Sequence, residues 1–265
     1  MNLLTRGEKL YFAAVGALAL WVGVWGYFLP ARVDSAIPWL VPPLHARFLG
    51  AVYFSAFALL ALGLLARRYA EVKLMVPVIT IWTGMLCVVS LFYWDQFDFS
   101  HRPVWFWWGA YIVYPVIGLR LILRHFRDGE ELTGAALPFW ARGYLLAQGV
   151  VLLAVALALL ADPEWVASVW PWKITRLLAQ IYSAPFFAYG VSSVLASRES
   201  TWSGVRILVC GAWVLVSGVL MASILHRGLF SPQSPSAWIW FSFFSVATLM
   251  LGVAAVQALR SGDQA

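Results

Sequence analysis

The sequence predicts an all-α integral membrane protein, a bundle of about eight transmembrane helices arranged as two tandem parallel four-helix repeats. Three observations carry this. Of the 265 residues, 62% are hydrophobic and 11% charged, against roughly 45–50% and roughly 25% in soluble domains. Eight apolar runs reach the roughly 20 residues that a spanning helix needs. An offset of 133 residues superposes one half of the chain on the other. In lipid, backbone N–H and C=O groups have no water to bond, so a run of this kind must be helical.

In chain order the runs lie near Lys9–Leu29, Leu44–Ala66, Lys73–Trp94, Val104–Leu123, Arg142–Ala161, Ile174–Ser197, Val205–Leu225 and Trp238–Leu259. Pro77, Pro115 and Pro185 fall inside runs, where they are expected to kink helices. Pro30, Pro38, Pro42, Pro43, Pro103, Pro163, Pro171, Pro232 and Pro235 fall between runs and break them. Cys87 and Cys210 lie inside two runs at depths too different for a disulfide, and read as buried packing residues.

The offset carries Pro38-Trp39 onto Pro171-Trp172, Tyr11 onto Tyr144, Gly16 onto Gly149 and Pro30 onto Pro163. It also carries Lys73 onto Arg206, and Trp105 and Trp107 onto Trp238 and Trp240. Proline and aromatic coincidences at one fixed offset point to duplication, with repeats at residues 1–134 and 135–265. The first run, with Arg6 and Lys9 before it, has the look of a signal peptide. Its match to the fifth run reads instead as a true span. Four spans per repeat make the two copies insert the same way up, related by an axis along the membrane normal.

Lysine and arginine give orientation. The side that holds both termini and the second, fourth and sixth loops carries 12 of the 18 basic residues, so both termini are expected in the cytoplasm. The net charge of +6 then reflects topology and contact with lipid headgroups, not nucleic acid. Arginine far outnumbers lysine, which occurs only at Lys9, Lys73 and Lys173; this bias suggests a bacterial source and its cytoplasmic membrane. Twelve of the 16 tryptophans lie towards the outer side. Trp39, Trp172, Trp105, Trp107, Trp238 and Trp240 are expected as interfacial aromatic anchors, with short surface segments at residues 31–43 and 163–173.

No P-loop, Rossmann glycine pattern, HExxH or CxxC is present. The four histidines, His45, His101, His125 and His226, sit at span ends or in loops and none repeats across the offset, which argues against haem. The first repeat carries an outer polar set of Asp34, His45, Arg47, Asp95, Asp98, His101 and Arg102. The second repeat has Leu178, Gln180, Gly228, Ser231, Ser234 and Pro235 in place of the last six. Asp and His together can bind a divalent metal or relay protons, and Arg can hold an anion. The plainer reading of the same residues is solvated loop charge and a snorkelling Arg. Arg47, just inside a span, needs a partner such as Asp95 or Asp98. Gln148 and Gln180 lie deeper, as a polar lining for a ligand or as interhelical hydrogen bonds.

The segment Pro38-Trp39-Leu40-Val41-Pro42-Pro43-Leu44-His45-Ala46-Arg47-Phe48-Leu49-Gly50-Ala51 resembles a pattern of uncharacterised bacterial multi-pass membrane proteins, PW-x-L-T-P-L-x-A-R-x-x-G-A. Pro42 stands where that pattern has Thr, and the resemblance implies no particular activity.

Three function classes follow. The first is a non-catalytic membrane module: an accessory subunit, or a holder of a lipid, quinone or pigment. The second is a small transporter or channel with its path on the pseudo-twofold axis, between the fourth and eighth spans. The third is an intramembrane enzyme using the outer His, Arg and Asp cluster. The near absence of Asp, Glu and Lys within spans disfavours ion coupling, and the first class is the leading expectation. Expected partners are the lipid bilayer and, within the first class, other membrane subunits or a hydrophobic ligand.

Overall fold

The computed structural model describes residues 3–31, 41–126 and 132–262. Asp34 and Trp39 lie outside them. The described residues form ten α-helices: α1 (Arg6–Phe28), α2 (Pro43–Leu65), α3 (Tyr69–Val72), α4 (Met75–Phe92), α5 (Arg102–Arg124), α6 (Phe139–Ala161), α7 (Pro163–Val169), α8 (Arg176–Ala196), α9 (Trp202–Leu225) and α10 (Pro235–Gly262). Among these residues the only β pairing is two isolated bridges. The molecule is an all-α helical bundle.

Local chemistry sets the helix starts. Thr5 caps α1, and the Glu8 carboxylate accepts in return from the Thr5 N–H at 2.7 Å. Pro43 opens α2 and Pro103 sits in the first turn of α5, where a missing N–H costs nothing. Thr175 accepts from Leu178 N–H at the start of α8. Pro77 is not a mid-helix kink. The chain turns through α3 first, so α4 begins at Met75 and Pro77 falls in its first turn. Pro115 and Pro185 do lie within α5 and α8. The segment after α6 includes the short helix α7, capped by Asp162.

Among the described residues seven helices are long and apolar enough to cross a membrane: α1, α2, α4, α5, α6, α9 and α10. The sixth expected span, α8, is a 21-residue helix but is less apolar. The reason is burial. Gln180, Ser183, Ser192, Ser193, Tyr182 and Tyr189 of α8 are all buried inside the bundle. A helix covered by protein can carry polar groups that a lipid-facing helix cannot.

Helices pair in a crossed fashion. α1 packs on α2, and α6 on α8; α4 packs on α5, and α9 on α10. The tight contacts at the centre run between halves, α2 against α9 and α4 against α8, whereas α2 and α4 within one half barely approach. Small residues permit the closest crossings. A Cβ on Gly50 would lie 2.5 Å from the Tyr27 nitrogen, and one on Gly211 would strike Leu59 of α2. The fourth and eighth spans, α5 and α10, share no substantial interface. Among the described residues, α2, α4, α8 and α9 flank the centre.

Contacts recur at residues 133 apart. Trp107 Nε1 donates to Ser90 Oγ at 2.9 Å, and Trp240 Nε1 to Ser223 Oγ at 2.9 Å. Trp105 Nε1 donates to the Phe99 carbonyl, and Trp238 Nε1 to that of Pro232. The bridge Leu3–Arg68 has its counterpart in Ala136–Thr201. Lys73 pairs with Glu199 at 2.9 Å and Arg206 with Glu71 at 3.5 Å, each across the halves. These pairs join the same end of both halves, so the halves run in the same direction through the bundle.

Cys87 and Cys210 are free and half-buried, not fully buried as the apolar runs imply. Both helices that carry them have a surface turned outward.

Candidate functional site

The outer polar set does not form one site. His45 and Arg47 turn inward to the boundary between halves. His45 is buried; Tyr182 hydroxyl donates to its Nδ1 at 2.5 Å, and its Nε2–H donates to the Lys173 carbonyl at 3.1 Å. Both ring nitrogens are satisfied by a neutral imidazole. Arg47 pairs with neither Asp95 nor Asp98. Its Nη1 donates to His226 Nε2 at 2.5 Å, because α2 packs on α9 and brings the end of α9 to it. Burial, and then the Arg47 charge, lower the His226 pKa.

Asp95, Asp98, His101 and Arg102 stay on the exposed turn between α4 and α5. Asp98 accepts from Ser100 Oγ at 2.6 Å, Ser100 N–H at 2.9 Å and His101 Nδ1 at 2.8 Å. These bonds, the Ser100 hydroxyl first, hold its carboxyl down at about 2. The group is a self-contained surface turn. Among the described residues no three His, Cys, Asp or Glu side chains gather to hold a metal.

Gln180 occupies the position 133 residues after Arg47. Tyr93 hydroxyl donates to its Oε1 at 2.7 Å, and its Nε2 donates to the Leu160 carbonyl at 3.1 Å. Tyr93 in turn is the equivalent of His226. The two halves thus exchange one polar handshake each way, Arg47 with His226 and Gln180 with Tyr93.

The expected aromatic anchors divide. Trp105 and Trp238 are 63% and 66% exposed. Trp107, Trp240 and Trp172 are buried and are not surface anchors. Trp107 and Trp240 reach inward to the serines named above. Trp172 packs on Trp240 at 4.7 Å and Phe230 at 5.3 Å.

The site with most chemical scope is the seam inside each half. Because α1–α2 and α4–α5 meet loosely, a void of about 20 Å³ remains between them; α6, α8, α9 and α10 leave another of about 20 Å³. The two voids have almost the same walls under the 133-residue offset, but different contents. In the first half Tyr53, Trp82, Tyr111 and Tyr114 line the void. Tyr53 and Tyr111 hydroxyls bond each other, and Tyr11 hydroxyl bonds the Tyr114 carbonyl at 3.0 Å. The equivalents in the second half are Phe186, Leu215, Phe244 and Ala247, smaller or without hydroxyls. Gln148 stands where the first half has Val15.

Gln148 is buried, and Nε2 donates to Ser193 Oγ at 3.1 Å while Oε1 has no partner. Leu152, Phe186, Phe243 and Phe244 wall both this void and a larger apolar cavity of about 230 Å³ beside it. The cavity continues to Trp170 and Trp240, and its rim includes the exposed Val151, Val169 and Ile239. The indole N–H of Trp170 also lacks a partner.

Several linkages escape hydropathy. Glu8 is buried and receives His125 Nε2 at 3.1 Å and Arg124 Nη1 at 3.4 Å. The Tyr69 ring stacks on His125 at 4.0 Å. Ser55 of α2 donates to the Gly211 carbonyl at 2.8 Å and bonds the Tyr189 hydroxyl. Only the capping pattern Thr5–Glu8 was open to recognition in the sequence. Comparison with protein-family models, curated proteins and solved structures finds no match.

Proposed function

We propose that this chain is a non-catalytic multi-pass membrane module that holds a hydrophobic ligand in the seam of its second half. The observation that carries the reading is the apolar cavity of about 230 Å³ that shares the walls Leu152, Phe186, Phe243 and Phe244 with the void at Gln148. A dry cavity of about 150 Å³ takes benzene, so this one has room for a substituted ring or a segment of chain. Its exposed rim at Val151, Val169 and Ile239 suits entry from lipid. Two unpartnered polar atoms, Gln148 Oε1 and Trp170 Nε1, each leave a desolvation cost of about 1–3 kcal/mol that a bound molecule could relieve. The first half, whose seam is bonded through tyrosine hydroxyls, would be the structural copy.

The same proposal includes a gene duplication, supported by hydrogen bonds that recur at the fixed offset. It includes insertion with the Lys73 and Arg206 end in the cytoplasm, supported by the basic bias there. A bacterial cytoplasmic membrane fits the arginine bias and the resemblance at Pro38–Ala51. The ligand-holding reading is preferred to the enzyme reading because His45 and Arg47 bond Tyr182, Lys173 and His226, while Asp98 bonds Ser100 and His101 of its own turn.

Native mass spectrometry of the whole protein, released from mild detergent, tests the ligand. The expected spectrum shows a retained non-covalent mass that Ala247→Tyr diminishes, since the added ring would occupy the void that Ala247 lines. A spectrum of bare protein from several membrane sources would refute the proposal.

A further inference from the structure

We infer that the ligand carries a hydroxyl group, as a lipid-soluble alcohol or phenol does, and that this hydroxyl docks on Gln148 with the apolar body in the adjoining cavity. The inference rests on the ligand-holding reading above and names the chemistry of its ligand.

The internal comparison supplies the argument. Both halves build a void of about 20 Å³; its walls exchange Trp82 and Tyr114 for Leu215 and Ala247, and Ala56 and Ala110 for Tyr189 and Phe243, and the void of the second half shares four wall residues with the larger cavity. The second half also exchanges the apolar Val15 for Gln148. A buried amide in an apolar seam is unfavourable unless its groups are bonded. Ser193 Oγ engages one end of the Gln148 amide at 3.1 Å. Whichever way the amide is turned, the other end is left over. A hydroxyl both donates and accepts, so it completes the amide in either orientation. A carbonyl, ether or hydrocarbon does not.

Size agrees with this division. The void at Gln148, about 20 Å³, takes one oxygen-sized group. The neighbouring cavity, about 230 Å³, takes the body. Along α6, Gln148 and Val155 are seven residues apart, or roughly 10 Å at 1.5 Å per residue. That is about the length of a ring with a short substituent. A longer tail would leave between Val151 and Ile239, which are exposed.

The test uses two probes that differ by one oxygen, 4-octylphenol and octylbenzene, added to the full chain in detergent and read by native mass spectrometry. The wild type is expected to bind the phenol about tenfold more tightly, a difference of about 1.4 kcal/mol. Gln148→Val, which installs the residue of the first half, is expected to abolish that preference and retain octylbenzene. Ala247→Tyr, a second and independent variant, is expected to weaken both probes. Equal binding of the two probes by the wild type, or a preference that survives Gln148→Val, overturns the hydroxyl assignment and leaves the ligand-holding reading standing. If neither probe binds and the untreated protein carries no ligand, both fall together.

Discussion

Replacing the Arg47–His226 handshake with a copy of the Gln180–Tyr93 pair should remove a pH dependence without removing stability. Arg47 Nη1 donates to His226 Nε2 at 2.5 Å, and both residues are half-buried. The imidazole must be neutral at Nε2 to accept this bond. Burial, and secondarily Arg47, depress the His226 pKa in the folded protein. The unfolded chain, with its histidine near about 6.5, therefore takes up a proton first. The bond contributes fully above about pH 6.5, and its contribution is lost as pH falls towards the depressed folded value. A charge-assisted hydrogen bond is worth about 1.5–3 kcal/mol in soluble proteins, but interhelical bonds in membranes average about 0.6 and reach about 1.7. For a half-buried pair we expect about 1 kcal/mol, or roughly a fivefold change in the folded population. The double variant Arg47→Gln/His226→Tyr transplants the Gln180–Tyr93 pair, which bonds at 2.7 Å without a titrating histidine. Reversible unfolding in mixed micelles, followed from pH 7.5 to 5, gives the readout. All other side chains are common to both proteins, so the quantity of interest is the difference between the two profiles. The wild type should lose about 1 kcal/mol more than the double variant. Parallel profiles would refute the reasoning.

Further outcomes follow from the same geometry. Trp107→Phe and Trp240→Phe should each cost about 1 kcal/mol, and by similar amounts, because the indoles make equivalent bonds to Ser90 and Ser223; costs differing by more than about 1 kcal/mol would break the equivalence. Gly50→Ala should destabilise by about 1–3 kcal/mol through overpacking, since its methyl would meet the Tyr27 backbone at 2.5 Å; Gly143→Ala, with open space around it, is the control in the same unfolding assay. Gln148→Val should leave stability within about 1 kcal/mol of wild type, because the lost bond to Ser193 is offset by removal of an unpartnered amide end. A loss of several kcal/mol would mean that the amide is fully satisfied in the native protein.

The sequence by itself determined where the helices lie. Runs of apolar residues of membrane length became α1, α2, α4, α5, α6, α8, α9 and α10 within a few residues of their expected bounds. The cause is simple: lipid leaves the backbone no hydrogen-bond partner outside the helix. The offset of 133 was likewise legible from Pro, Trp and Tyr, and the same offset relates the bonds at Trp107 and Trp240. What only the tertiary structure decided was which surface faces what. Transfer from water to lipid and from water to a protein interior reward the same side chains, so hydropathy cannot separate the exposed Trp105 from the buried Trp107 two residues on. Nor could it show that α2 packs across the halves on α9, which gave Arg47 a histidine for a partner in place of Asp95 or Asp98. The seam at Gln148 is the sharpest case. Its amide was visible as polarity in an apolar run, but its unsatisfied end, and the space beside it, exist only because Phe186, Leu215 and Ala247 arrive there from three other helices.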